Sequence, residues 1–439
     1  MLSPIILSLV GLYDLYHHLR SERLKKSYKS FPLPSTEEHW RFTPKDVSVV
    51  TPSIKTADTF PPFLGTLLDQ DPLEVIIVTI PEWKDRIQTL ILHDKRCSQA
   101  RYQRQVKVLT IDHSNQRDQI IKGIDRCKGK IIAMVDDDTS WVDSTHILHL
   151  LAPFQDDFVD FVAGSVLSYV PKERQNPCII TIGEAVAIQK RRMRNNAMKT
   201  FYAADGSTNW CLPGPTILGR TEILQDPAFQ RAFTSKKWQG VKCNIGHDGF
   251  LTKWVLFNWH QLPQHREKTN IPQNKQWRLG IQHTKEAELL ASVEQGTNLT
   301  FGQMVRWSRQ GLRTRIKWLI DEPGYCSIRK SHPYLAWKMV EDCLKPLVMI
   351  VLLVALCKTY FMPGYRWFAI FICLIYLFRM LADILDFVTD YPYCWVHFWV
   401  VPFIRLWPYF SDVLVLFYGL DDEVWSNRDL EGSHDGDKN

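Results

Sequence analysis

Asp136-Asp137-Asp138 follows directly on the apolar run Ile131 to Val135. Carboxylates two residues apart on an extended chain point the same way and can share a divalent cation through hard oxygen ligands. Such a cation bridges the phosphates of a diphosphate and stabilises its negative charge as it departs. Asp136 and Asp138 are therefore the candidate metal ligands, with Mg²⁺ or Mn²⁺ as the ion, and Asp136 and Asp137 the candidate diphosphate contacts. Taken alone, the triplet reads equally well as a solvated acidic turn or a helix cap.

Three further clusters carry chemistry. In Gly246-His247-Asp248-Gly249, Asp248 is placed to act as a general base toward a hydroxyl, or as the N-cap of the apolar helix that follows. His247 is a candidate metal ligand, although a lone histidine is more often structural. In Gln303-Met304-Val305-Arg306-Trp307, helical spacing puts Gln303, Arg306 and Trp307 on one face. The arginine suits a diphosphate and the indole suits the apolar face of a sugar; an interfacial helix with Trp and Arg at its edge is the alternative. In Trp210-Cys211-Leu212-Pro213-Gly214-Pro215-Thr216, the Gly and Pro turn either shapes an acceptor pocket or is a plain loop. Gln116-Arg117 opens a helix, whose start can approach phosphate or simply be a solvated face.

The elements that must position these residues read as alternating strands and helices. Strands are expected at Val47 to Val50, Val75 to Ile80, Val106 to Ile111, Ile131 to Val135 and Phe161 to Val166, with helices at Pro62 to Leu68 and Gln116 to Arg126. Continuous apolar strands between helices predict an α/β fold with a mostly parallel sheet buried on both faces. Ligands bind outside the carboxyl ends of such strands, where the three aspartates fall.

The chain of 439 residues is 45% hydrophobic and carries a net charge of +6. Its average composition hides a split: long apolar runs begin near Leu344. Pro346 to Phe361 and Trp367 to Val388 predict a hairpin through a bilayer. Cys394 to Tyr418 contains Pro402, Arg405 and Pro408 and is expected to be broken, re-entrant or interfacial. Leu2 to Leu15, interrupted by Asp14, is short for a span. Basic residues concentrate at Arg20 to Lys29 and Arg306 to Lys317, both beside apolar segments. This favours contact with membrane lipid over nucleic acid, for which no motif accompanies the charge. The ten cysteines show no paired spacing, which favours reduced thiols in a cytosolic setting, and the sequon at Asn298 is expected to be unused. The expected division is 1–20 as an N-terminal membrane anchor or interfacial helix, 40–295 as the catalytic α/β domain, 296–343 as amphipathic interface helices, 344–420 as the membrane region and 421–439 as an acidic tail.

Taken in order, these motifs resemble the processive family 2 glycosyltransferases, the group of hyaluronan, chitin and cellulose synthases, and look closest to the fungal hyaluronan-synthase-like branch. The likeness covers about residues 45 to 425. It implies a GT-A-type nucleotide-sugar domain, a UDP-sugar donor, a growing polysaccharide or other glycan acceptor, and a β-linked product. By resemblance Asp136 and Asp138 match the metal-binding DxD, and Asp248 matches the base. Gln303, Arg306 and Trp307 match the QxxRW motif, while Cys211, Gly214 and Pro215 match the acceptor segment. Thr51 and Arg117 are placed at the nucleotide. Arg428, in Trp425-Ser426-Asn427-Arg428, looks like a diverged C-terminal motif that works at the active site. The family's usual nucleobase aspartate is missing from Val78-Thr79-Ile80-Pro81, which leaves the base open. The implied setting is a multi-pass protein with a cytosolic catalytic domain, in the plasma membrane rather than the Golgi or another endomembrane, either as a homo-oligomer or with a partner subunit. Transfer of a single sugar to a lipid acceptor and an inactive scaffold are the competing readings.

Overall fold

The computed structural model describes residues 2–36, 39–238, 241–242, 246–293 and 296–420. The expected acidic tail and Arg428 lie outside the described residues. In chain order the first elements are α1 (Leu2–Ser27), β1 (Val47–Pro52), α2 (Phe60–Leu68), β2 (Glu74–Thr79), α3 (Pro81–His93), α4 (Ala100–Gln103) and β3 (Val106–Thr110). Next come α5 (Gln116–Ile124), β4 (Ile131–Val135), β5 (Thr139–Trp141), α6 (His146–Leu151), β6 (Val159–Gly164) and β7 (Val166–Ser168). They are followed by α7 (Ile182–Asp205), β8 (Thr216–Arg220), α8 (Thr221–Leu224), α9 (Pro227–Ser235), β9 (Lys237–Trp238) and β10 (Val241–Lys242). The chain continues through α10 (His247–Leu256), α11 (Pro263–Arg266), β11 (Arg278–Gln282), β12 (Leu289–Ala291), α12 (Thr297–Ile320) and α13 (Tyr325–Ser331). It ends in α14 (Pro333–Phe361), α15 (Arg366–Asp390) and α16 (Val400–Tyr418).

Two compact units form. One comprises residues 29–167 and 206–292 and is built on a seven-stranded sheet in the order β11-β6-β8-β4-β1-β2-β3. The β1–β2, β1–β4, β2–β3 and β6–β11 pairs are parallel, whereas β8 runs antiparallel to both β4 and β6. β1, β2 and β4 are buried along their whole length, and their runs rich in Val and Ile suit strands covered on both faces. Val47, Val49, Val75, Ile77, Ile131 and Ala133 join Phe60, Leu64 and Leu67 of α2 in one core. The register sets Val50 beside Met134 and Val135 beside Thr216. The ends of β4 and β8 therefore meet at the turn that holds the three aspartates.

The second unit is helical and comprises residues 1–28, 168–205 and 293–420. Its core joins Ile188 of α7, Met304, Val305 and Leu312 of α12, Phe387 of α15 and Val401, Ile404 and Trp407 of α16. A buried ion pair joins Arg315 to Asp412 at 2.6 Å, and Asp205 caps α14 by accepting from the N–H groups of Tyr334 and Leu335. The unit does not follow the expected linear boundaries, because α7 lies inside the stretch assigned to the catalytic domain.

Among the described residues, α15 and α16 are long and apolar enough to cross a membrane. Of the broken, re-entrant or interfacial course expected for this segment, α16 corrects the first. It is a continuous helix preceded by a 3₁₀ turn over Pro392–His397. Pro402 falls in its first turn, where a missing N–H costs nothing, Arg405 is neutralised by Asp383 of α15, and Pro408 is carried inside the helix. The outer faces of α14 and α15 leave Ile350, Leu353, Phe361, Trp367, Phe371 and Phe378 exposed. An exposed apolar surface of this kind marks contact with lipid or another apolar partner.

Candidate active site

The aspartate triplet occupies the turn between β4 and β5, with all three carboxylates half-buried. Each is tied down differently. The Asp136 N–H donates to the carbonyl of Pro215 at 3.1 Å. The Ser53 hydroxyl donates to Asp137 Oδ2 at 2.6 Å and also contacts Thr56. The Ser292 hydroxyl donates to Asp138 Oδ2, and the Ser292 N–H donates to the Asp138 carbonyl at 3.2 Å. Three strand ends thus fix the turn.

Pro215 belongs to the loop that enters β8, and that loop also meets the start of α10. The Cys211 thiol donates to Asp248 Oδ2 at 3.2 Å. The Leu212 N–H donates to the Thr252 hydroxyl at 2.8 Å, which in turn donates to the Asp248 carbonyl at 2.7 Å. A Cβ added at Gly214 would lie 3.6 Å from Asp248 Cβ and 3.7 Å from both Asp248 Oδ2 and His247 Nε2. The Gly and Pro turn therefore links the triplet to the candidate base: Pro215 holds Asp136, while Cys211 and Gly214 lie against Asp248. Trp141 Nε1 donates to the Thr216 hydroxyl at 3.0 Å and steadies the same loop.

The helix carrying Asp248 begins two residues earlier than the N-cap reading requires. Gly246 is the N-cap, in the left-handed region at φ 72°, which glycine adopts without a Cβ penalty. Asp248 sits in the first turn and accepts the Gly249 N–H at 2.8 Å. The helix dipole favours a negative charge there. His247 is buried, with Nδ1 3.1 Å from Gln116 Oε1. Burial pushes its imidazole below the ordinary value, Asp248 opposes this and Arg117 adds to it. A neutral, hydrogen-bonded imidazole packed against the candidate base is placed as a supporting group.

Arg117 corrects the expectation of a phosphate contact. It is fully buried and donates to the carbonyls of Phe233 at 2.8 Å and Gly246 at 2.9 Å. Its guanidinium also lies over the rings of Phe233 and Phe250. A guanidinium so enclosed positions the loop before Asp248. Thr51 on β1 pairs in register with Ile77 of β2, and its buried hydroxyl has no hydrogen-bond partner among the described residues.

Gln303, Arg306 and Trp307 lie on α12 in the helical unit; Gln303 and Arg306 are half-buried and Trp307 is 37% exposed. The Lys190 ammonium of α7 stands 4.5 Å over the Trp307 ring. Sequence reasoning missed Ser53, Thr252, Ser292 and Lys190. Ser292 is 154 residues from the aspartate it holds, and only the pairing of β5 with β12 brings them together. Ser53 had a signal, since it directly follows β1 at the carboxyl edge of the sheet.

Among the described residues no group of three or more His, Cys, Asp or Glu is arranged around a metal. Two carboxylates at a strand end still fit Mg²⁺ or Mn²⁺, which accept few protein ligands and complete their shell with phosphate oxygens and water.

Residues 48–226 match the model of the family described as Glycosyl transferase family 2. The chain is 32% identical over 375 residues to the NDP-glycosyltransferase ltbB of Aspergillus luteorubrus, covering 85% of each chain. It is 28% identical to a type 2 glycosyltransferase of Zymoseptoria tritici, covering 68% of this chain and 56% of that one. In fold it is similar to a mannosyltransferase of Pyrobaculum calidifontis solved in complex with GDP-Man and Mn²⁺. The TM-score is 0.54 at 13% identity, covering 92% of this chain and 98% of that one. The α/β unit thus has a GT-A-like fold, and the chain belongs to the family 2 glycosyltransferases, enzymes that transfer a sugar from a nucleotide-activated donor.

Proposed function

We propose that the chain is a membrane-bound, inverting, metal-dependent glycosyltransferase that moves sugar from a UDP-sugar to a growing polysaccharide and forms a β-linkage. The observation that carries this reading is the single loop that bonds Asp136 through Pro215 while packing Cys211 and Gly214 on Asp248. Base and diphosphate site are thereby held together by a few residues of one turn.

In the proposed reaction the acceptor hydroxyl lies beside Gly214 and gives its proton to Asp248. The oxygen attacks the anomeric carbon from the face opposite the nucleotide, and the bond to the diphosphate breaks. Asp136 and Asp138 would hold Mg²⁺ or Mn²⁺, which supplies positive charge to the departing diphosphate. Ser292 fixes one oxygen of Asp138, and Ser53 fixes the neighbouring Asp137. Gln303, Arg306 and Trp307 are assigned to acceptor and diphosphate by the motif they share with the family. α15 and α16 support attachment to a membrane, and the proposed orientation keeps the α/β unit in the cytosol. Plasma membrane is favoured over the Golgi or another endomembrane.

A second reading, transfer of one sugar to a lipid acceptor, draws support from an apolar cavity of about 430 Å³ between α14 and α15, lined by Leu356, Tyr360, Phe361, Ile370 and Leu374 among others. Its lining suits a hydrocarbon tail.

The test is release of nucleoside diphosphate from a panel of UDP- and GDP-sugars with Mn²⁺ or Mg²⁺, with product sizing. A long product from one UDP-sugar is expected. Short products extractable into organic solvent would favour the lipid acceptor, and release from GDP-sugars alone would remove UDP. Asp248→Asn should keep donor binding and lose transfer by about 10²- to 10⁴-fold. Turnover like that of the wild type would remove Asp248 from this role.

A further inference from the structure

α1 presents one continuous exposed face. Leu2, Ile5, Leu9, Leu12, Tyr16 and Leu19 recur along it at intervals of three and four residues, and each is more than half exposed. Arg23 and Lys26 continue the same intervals and are exposed as well. The opposite face packs inside the helical unit. Leu7 is buried, a Cβ added at Gly11 would lie 3.8 Å from Ile372 of α15, and the Tyr376 hydroxyl of α15 donates to Asp14 at 2.5 Å. The helix is thus amphipathic in the reverse of the usual sense, with its carboxylate turned inward and its leucines outward.

The exposed face changes character along its length. Apolar Leu2 to Leu12 come first, the exposed rings of Tyr13 and Tyr16 follow, and Arg23 and Lys26 close it. α14 runs antiparallel beside it: the His17 ring stacks on Trp337 at 4.0 Å, and the Arg20 guanidinium stands 5.3 Å over the Tyr334 ring. These contacts set the aromatic stretch of α1 level with the first turns of α14. Further along α14, toward the apolar end of α1, Leu347, Ile350 and Leu353 are exposed. Both helices therefore turn from aromatic and charged residues to exposed leucine and isoleucine in the same direction. That is the order of a bilayer met from the cytosol: basic residues at acidic headgroups, Tyr and Trp at the interface, aliphatic side chains in hydrocarbon. The stretch from Arg20 to Lys29 holds five cations and one carboxylate, Glu22, which is paired with Lys25. Arg23 and Lys26 make no ion pair among the described residues. A second copy of the chain would also suit a face with this spacing. In a parallel pair, however, that seam would end with Arg23 and Lys26 of one copy against those of the other, and like charges oppose it. An anionic leaflet accepts the whole face, leucines and cations alike.

We propose that α1 inserts into a leaflet of anionic phospholipid, with Leu2 to Leu12 in hydrocarbon, Tyr13 and Tyr16 at the interface, and Arg23 and Lys26 on acidic headgroups. The eleven residues from Leu2 to Leu12 extend about 16 Å, roughly half of a hydrocarbon core of about 30 Å. The lipid charge then acts on the protein directly, since α1 packs on α7 and α14 and holds the helical unit to one kind of leaflet. The assignment deepens the membrane attachment read from α15 and α16 and rests on it.

The experiment places the full chain in phosphatidylcholine nanodiscs with graded phosphatidylserine and reads thermal unfolding, alongside photo-crosslinking from p-benzoylphenylalanine in place of Leu9. Phosphatidylserine should raise the unfolding midpoint by several degrees, because a ligand bound only to the native state stabilises it, and added salt should reduce the rise. Arg23→Gln combined with Lys26→Gln should lose most of the rise, and Arg23→Lys should keep it. The probe at Leu9 should form an adduct with lipid. A midpoint indifferent to phosphatidylserine, an undiminished rise in the double glutamine variant, or a probe joined to a second copy or to nothing overturns the assignment. If the probe variant does not fold, the phosphatidylserine series in the wild type and the double glutamine variant decides alone. Carbonate extraction of membranes holding the full chain tests the underlying reading by itself. A retained wild type whose Leu9 probe finds no lipid overturns the α1 site alone, whereas protein released by carbonate overturns the membrane reading and the α1 site with it.

Discussion

The thiol of Cys211 donates to the carboxylate of Asp248 across 3.2 Å, although 37 residues separate them. This bond sets which oxygen of the candidate base faces the loop and which is turned to the helix start, where Oδ1 takes the Gly249 N–H. Removing a single weak donor should cost about 0.5–1.5 kcal/mol. Cys211→Ala is therefore expected to lower kcat roughly two- to ten-fold without changing donor KM, and Cys211→Ser to restore most of the rate. A drop in donor affinity with kcat intact would separate the thiol from Asp248.

Gly214 tests the space beside the base. A methyl group there makes ordinary contacts of 3.6–3.7 Å with Asp248 and His247, so Gly214→Ala should fold with an unchanged unfolding midpoint. It should raise acceptor KM several-fold, and Gly214→Val should abolish transfer while sparing donor binding. Full activity in the valine variant would place the acceptor elsewhere.

Chelation should stop transfer, and Mn²⁺ or Mg²⁺ should restore it. Asp138→Asn is expected to weaken metal-dependent donor binding by at least ten-fold, as measured by calorimetry. Ser292→Ala should do so more mildly, since it only releases one oxygen of Asp138. Activity indifferent to a chelator would remove the metal from Asp136 and Asp138.

Lys190 gives a pH dependence that stability measurements can read. Burial first, and then Arg194, lowers its amine from 10.5 to about 7. Below about pH 7 the group is charged in both the folded and unfolded chains, and the fold carries the full penalty of the buried cation. As pH rises from about 7 to 10.5, the folded chain loses its proton before the unfolded chain does. The unfolded chain then binds more protons, and stability rises with pH. The gain in urea midpoint between pH 6.5 and 9.5 should therefore be larger in the wild type than in Lys190→Met. Equal gains would mean that Lys190 keeps its ordinary amine.

Much of the α/β unit was legible because its strands announce themselves. Ile131 to Val135 is apolar at every position and Val75 to Ile80 at every position but Thr79, and both are fully buried strands within one residue of the expected bounds. β8 was harder to read, since Thr216 to Arg220 is short and contains Gly219. Its antiparallel course depends on partners remote in sequence. The small sheet of β5, β12 and β7 is equally hidden, being three short strands drawn from distant stretches. At the site, Asp136 to Asp138, Asp248 and the Gly-Pro turn were visible as residue types with a spacing, and the structure gathers them. Arg117 misled because a basic residue at a helix start looks the same in sequence whether it faces a phosphate or two buried carbonyls. α16 misled because Pro402 and Arg405 are disruptive only without a first-turn position and an Asp383, and because the helix tolerates Pro408 in its interior.

The helical unit is assembled from three stretches of chain, 1–28, 168–205 and 293–420, between which the α/β unit is threaded. α1 packs on α7 and α14, so α1 meets the second of these partners only after both stretches of the α/β unit, 29–167 and 206–292, have been made. Leu2, Ile5, Leu9 and Leu12 of α1 stay exposed even with both partners in place, which leaves this face for a bilayer or another apolar partner. No single cut can release the sugar-transferring half as a free-standing protein: ending the chain at residue 292 would strand α1 and α7 without the helices that cover them.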